Sequence, residues 1–181
     1  MPFGSYQVDR KEGVKNAIKI MKESGCDALK LEGGVEIIDT VKGILDAGIP
    51  VMAHLGLTPQ SINKFGTYAV RAKEEAEAEK LASDALLLQE AGCFSVVFEK
   101  VPASLATKVS KELTIPTIGI GAGNGTDGQI LVVDDMLGMT KGFSPKFLRR
   151  YADLNTVMTD AIGNYIRDVK SSDFPNSEES Y

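Results

Sequence analysis

The sequence predicts an α/β fold built on a parallel sheet, on three observations. Helical and strand-like patterns alternate, with five strand-like runs and helical connections between most of them; that order gives parallel strands with right-handed crossovers. The run Phe94-Ser95-Val96-Val97-Phe98-Glu99 has little polar alternation, as in a strand covered on both faces. Polar or glycine-rich features gather where strands end: Lys30 with Glu32, His54, Glu99, and the loop 119–125. In a parallel sheet all these ends lie on one edge, where α/β proteins bind ligands. A (β/α)8 barrel needs eight strands and typically about 250 residues. Periodicity alone therefore favours an open doubly wound sheet.

Residues 1–10 read as a loop broken by Pro2 and Gly4. Over residues 12–24, Val14, Ala17, Ile18 and Met21 share one helical face, and Gly25 is a stop. Ala28-Leu29-Lys30-Leu31-Glu32-Gly33-Gly34 follows as a short strand. Lys30 and Glu32, two apart, project from the same face of it. Inside a covered sheet they need partners: each other, a metal or a ligand. Position at the carboxyl end of a parallel strand favours a ligand.

Ile37, Ile38, Val41, Ile44 and Leu45 make a second amphipathic helix, ended by Gly48. Residues 49–54 are a strand, and Thr58-Pro59 is an N-cap followed by proline at the first helical position. The charged run 73–80 reads as the solvated face of a helix that continues through Leu81, Ala85 and Leu88 to Gly92. Pro102 opens a helix burying Leu105, Val109 and Leu113. Residues 115–120 and 129–133 are strands. Ser144-Pro145 caps a basic helix holding Lys146, Arg149 and Arg150, and a last helix spans 156–169. One domain over 1–170 is expected, then a flexible acidic tail, 171–181, without order of its own unless a partner supplies it.

Composition excludes some functions. The net charge is −5 and no basic cluster interleaves with aromatics, which argues against nucleic acid as a partner. No apolar run approaches the roughly 18 residues of a membrane span, and the first residues have no signal-peptide pattern. Cys26 and Cys93 lack metal-ligand spacing and read as reduced thiols of a cytoplasmic protein.

Four features bear on chemistry. Glu99 follows an apolar run; burial would disfavour its charge and suit proton transfer, or it caps the helix near Pro102. Lys100 should point the other way and be solvated. His54, the one histidine, is either a core residue satisfied by backbone, which is the reading favoured on residue type, or functional; zinc is not indicated. The loop 119–125 runs into a strand and not a helix, so it is a tight turn or a close backbone approach to a ligand rather than a dinucleotide fingerprint. Asp127, Asp134 and Asp135 read as surface carboxylates.

Together these stretches are more specific than any one alone. Lys30-Leu31-Glu32-Gly33-Gly34, His54-Leu55-Gly56-Leu57-Thr58-Pro59-Gln60, Glu99 before Val101-Pro102, residues 115–123, and Asp127-Gly128-Gln129 strongly resemble ketopantoate hydroxymethyltransferase. The resemblance runs from Pro2-Phe3 to Phe174-Pro175, in the family's order. It implies a (β/α)8 TIM-barrel fold. The implied reaction moves a hydroxymethyl group from 5,10-methylenetetrahydrofolate to 3-methyl-2-oxobutanoate through a Mg2+-stabilised enolate. The product is 2-dehydropantoate, on the way to pantothenate. It further implies Lys30 and His54 as substrate-binding residues, Glu32 as a metal ligand, Glu99 as the base at C3, and a homo-oligomer, typically a decamer.

The family pattern also has an earlier strand ending in Asp-Ser and an aspartate just before its Leu/Met-Pro-Phe stretch, both metal ligands. This match starts at Met1-Pro2-Phe3. The expectation is therefore an incomplete barrel of about five parallel strands, with Glu32 as the metal residue present. The alternative to an active enzyme is an inactive remnant or assembly subunit of the same fold. A related oxo-acid lyase explains the segments 54–60 and 119–129 less well.

Overall fold

The computed structural model describes residues 1–181. It divides into two compact units, residues 1–130 and 131–181. The first unit carries the sheet: β1 (Leu29–Glu32), β2 (Val51–Gly56), β3 (Ser95–Glu99), β4 (Thr117–Ile120) and β5 (Gly128–Gln129). All neighbours are parallel. Their spatial order is the sequence order, β1-β2-β3-β4-β5. A doubly wound sheet reverses its strand order at a switch point, and this one does not. The unit is an arc of (β/α)8 barrel type, which corrects the open doubly wound sheet that periodicity favours.

The helices of this unit are α1 (Arg10–Ser24), α2 (Ile38–Asp46), the four-residue α3 (Ile62–Phe65), α4 (Glu75–Ala91) and α5 (Ala103–Glu112). α1 starts earlier than periodicity indicates because the Asp9 side chain accepts the Glu12 N–H and caps it. Ala17 is fully buried, but Ile18 is 43% exposed, so the buried stripe is narrower than expected. Thr58 does not cap: it is buried and makes no cap hydrogen bond, and Pro59–Ser61 form a single 3-10 turn leading into α3.

One sheet face supplies the core. Leu29, Leu31, Val51, Ala53, Leu55, Val96 and Phe98 pack with Val41, Ile44, Leu81, Leu88 and Val109 from the helices. Phe98 is 0% exposed; truncating so large a buried ring costs about 3–5 kcal/mol. The other face carries Lys30, Glu32, His54, Val97 and Glu99, fixed by the registers Glu32↔His54, His54↔Val97 and Gly56↔Glu99.

β5 is only two residues long and shares just Gln129 with the expected stretch; Val133 instead opens a helical turn, α6 (Val133–Met136), in the second unit. No basic helix forms around Lys146, Arg149 and Arg150. Its two apolar residues, Phe147 and Leu148, are adjacent and make no helical stripe. The Arg150 guanidinium donates instead to the carbonyls of Thr140 and Phe143. α7 (Leu154–Ser171) is capped by Asp153, which accepts the Thr156 N–H. Phe174 lies edge-on to Tyr165 with ring centroids 5.5 Å apart. No helix is long and apolar enough to cross a membrane.

Candidate active site

Three side chains meet at the carboxyl ends of β1, β2 and β3. His54 Nδ1 lies 3.9 Å from Glu32 Oε1, and His54 Nε2 lies 3.2 Å from Glu99 Oε2. The imidazole is 3% exposed, Glu32 12% and Glu99 19%. Neither ring nitrogen has a hydrogen-bond partner of good geometry, so the ring is aimed at the carboxylates without being locked to them. This settles two of the alternatives left open above. His54 is not satisfied by backbone. Glu99 does not cap α5, whose N-terminus at Pro102 has no side-chain cap.

Lys30 shares this sheet face, two register pairs before Glu32. It is exposed and forms no ion pair with Glu32, whose one partner at ion-pair distance is His54. The sheet therefore joins Glu32, His54 and Glu99 directly, and leaves Lys30 as an uncommitted cation beside them.

Backbone geometry sets the carboxyl end of β2 against that of β3. Gly56 has φ +91°, and a Cβ there would lie 2.3 Å from the Glu99 carbonyl oxygen. That carbonyl accepts the Leu57 N–H at 2.8 Å. The next residue, Lys100, has φ +48°. Its N–H donates to Ile120 O and its carbonyl accepts the Arg71 N–H, while its ammonium reaches the Tyr68 carbonyl. Lys100 is thus not simply solvated: it ties the segment before α4 to the end of β3.

A cavity of about 510 Å3 opens beside Glu32, bounded by Gly34, Gly56, Phe65, Arg71 and Asp84 among others. The Arg71 guanidinium sits 4.1 Å above the Phe65 ring and pairs with Glu77. Lys80 pairs with Glu36 at 3.0 Å and with Asp84. The charged start of α4 is therefore not just a solvated face, since Glu77 and Lys80 bound this cavity.

The contacts of four further residues, three of them about Glu32 and the turn after it, escape the sequence reading. Tyr6, placed in a loop, is 1% exposed. Its hydroxyl accepts the Glu32 N–H, and burial pushes its phenol up to about 12. Gln60 donates to the Glu32 carboxylate. Asp84 accepts the Val35 N–H and holds the turn after β1. Asp127 is at the surface, as expected, but accepts both the N–H and the hydroxyl of Thr117, each at 2.8 Å. Gln60 and Asp127 stand in stretches that carry the family resemblance, Asp84 lies on the same helical stripe as Leu81, Ala85 and Leu88, and Tyr6 leaves no trace in the sequence.

The resident ion implied by the resemblance can be tested against these donors. No three His, Cys, Asp or Glu residues are grouped to hold a metal. The imidazole fills the space between the two carboxylates, and Glu32 Oε2 already accepts the Gln60 N–H at 3.0 Å. Mg2+ wants several oxygen ligands in octahedral array. The residues of this chain do not by themselves fit it.

The family model described as ketopantoate hydroxymethyltransferase matches residues 1–177. The 3-methyl-2-oxobutanoate hydroxymethyltransferases of Bacteroides fragilis and Bacteroides thetaiotaomicron are 71% and 70% identical over 181 residues. That of Christiangramia forsetii is 66% identical. Each alignment takes in 100% of this chain and 66% of the relative, so the chain spans just under two thirds of their length. On the family match and these identities, with Lys30, Glu32, His54 and Glu99 on one face of a parallel barrel arc, this chain belongs to the ketopantoate hydroxymethyltransferase family.

Proposed function

We propose that this chain carries the proton-abstraction half of a hydroxymethyl transfer from 5,10-methylenetetrahydrofolate to 3-methyl-2-oxobutanoate. The observation that carries this reading is His54 standing between Glu32 and Glu99, 3.9 and 3.2 Å away. A proton beside a ketone is removed by a carboxylate held over it. Glu99, only 19% exposed and backed by an imidazole, suits that task. Lys30 answers the substrate carboxylate and steadies negative charge as it develops. The carbanion at C3 then forms a C–C bond to the folate methylene as one of its two C–N bonds breaks; water displaces the second nitrogen and supplies the hydroxyl, and the proton taken from C3 and one from water end on the two folate nitrogens. The cavity beside Glu32 gives the one-carbon donor room. The family's Mg2+ would find in Glu32 one ligand, and no step here is routed through it. A cytoplasmic setting goes with two free thiols.

The test isolates the first step. In D2O, loss of the C3 proton signal of 3-methyl-2-oxobutanoate reports enolisation without the folate. Wild type is expected to exchange it, and Glu99→Gln to slow exchange by about 100-fold or more with unchanged circular dichroism. Equal exchange rates for the two would remove Glu99 as the base.

A second reading has its own observation. With no three-residue metal group, the chain alone would be an inactive remnant or assembly subunit. Exchange at the buffer rate by wild type, even with added Mg2+, would favour it.

A further inference from the structure

Glu32 is held from two sides by residues remote from it in sequence. Behind the strand, its N–H donates to the Tyr6 hydroxyl at 3.1 Å. That hydroxyl has one proton for two acceptors, Glu32 O and Gln60 Oε1, both at 3.1 Å. In front, Gln60 donates its backbone N–H to Glu32 Oε2 at 3.0 Å and its side-chain Nε2 to Oε1 at 3.4 Å. The Gln60 amide has only one sensible orientation. Nε2 faces two acceptors, Glu32 Oε1 and the Met1 carbonyl at 3.0 Å. Oε1 faces two donors, Tyr6 and the Gln7 amide at 3.2 Å.

We propose that Gln60, braced by Tyr6, is the positioning residue of this site: it sets the direction in which the Glu32 carboxylate faces His54 Nδ1. Functional groups need their supporting shell to be fixed, or their geometry drifts. A side chain with four polar neighbours, two of them on Glu32 and Tyr6, is such a support. The proposal rests on reading Glu32 as a working carboxylate, but its test does not depend on turnover.

His54 is the chain's one histidine, so its ring 15N signals can be read without ambiguity. Gln60→Met keeps the chain length and removes the amide, leaving the backbone N–H to Oε2 in place. Tyr6→Phe removes the brace on Gln60 together with the hydroxyl's contacts to the Glu32 backbone. Gln7→Met removes the outer contact on Gln60 along with the acceptor of the Gly4 and Tyr6 N–H groups, and touches nothing on Glu32. At one pH in the 181-residue chain, Gln60→Met is expected to move the ring signals by several ppm at an unchanged melting temperature. Tyr6→Phe should move them less, and Gln7→Met not at all. Coincident signals for Gln60→Met and wild type would overturn the proposal and leave Gln60 as a loop fixture. If Gln60→Met does not fold, Tyr6→Phe decides alone, and unmoved signals there overturn it. Failure of C3 proton exchange would end the functional reading and leave these spectra as they are.

Discussion

At the scale of the residue, His54 is the pivot, because the two carboxylates that face it come from strands on either side of its own. Lys30, Glu32, His54 and Glu99 were all legible in the sequence as polar residues at the ends of strands. Their convergence on one edge followed from the parallel sheet, but the pairing of His54 with both carboxylates was not legible, since contacts between residues 22 and 45 positions apart depend on register, which periodicity leaves open. The bonds of Tyr6 and Gln60 to Glu32 were illegible for the same reason: they cross 26 and 28 positions. Cys93 behaves differently from these groups. Burial pushes its thiol from 9.0 up to about 11. The folded state thus holds this proton more tightly than the unfolded chain does. The stability gained is full below about pH 9 and falls as pH rises through about 11. Denaturant titration at stepped alkaline pH should find that loss, and Cys93→Ala should reduce it. At neutral pH Cys93 should resist iodoacetamide in the folded chain, because the thiolate is the nucleophile.

At the scale of the element, the turn after β1 depends on a side chain from α4. Asp84, 8% exposed, accepts the Val35 N–H and pairs with Lys80. A Cβ on Gly34 would lie 2.0 Å from its Oδ2, so this contact requires glycine at 34. Asp84→Ala should cost about 1–3 kcal/mol in chemical denaturation, as the part-buried Val35 N–H loses its charged acceptor. A loss under 0.5 kcal/mol, roughly the level of an ordinary surface change, would mean that water replaces the carboxylate. Helices were the most legible elements: α1, α2, α4 and α5 carry apolar stripes and end at or near glycine or proline signals. The short elements were not. β5 holds two residues through the Gly119 and Gln129 neighbourhood, and the segment 144–150 shows that capping residues cannot make a helix without a face to bury.

At the scale of the molecule, the sheet has two edges, β1 and β5. At β1 the Met1 amine already donates to the Lys30 carbonyl and the Tyr6 hydroxyl takes the Glu32 N–H and carbonyl, so β5 is the edge left to invite pairing with other chains. Beside β1 the sheet also presents a polar face with Lys30 exposed. We propose self-association of the purified chain, the homo-oligomer implied by the family being one form of it. Sedimentation velocity is expected to show species larger than 19.4 kDa that grow with concentration; a sharp monomer at high concentration would contradict this. The strand order was legible only through the family resemblance, because alternating helices and strands are common to wound sheets and barrels alike.

The parallel register has a consequence for what the gene can tolerate. Along β3 the two walls alternate, with Phe98 in the packed interior and Glu99 beside the imidazole. Adding or deleting one codon between Ser95 and Phe98 would exchange them, driving the carboxylate among aliphatic side chains and turning the ring out toward the mouth. Length in this strand is therefore as much a part of the chemistry as the identity of any residue in it.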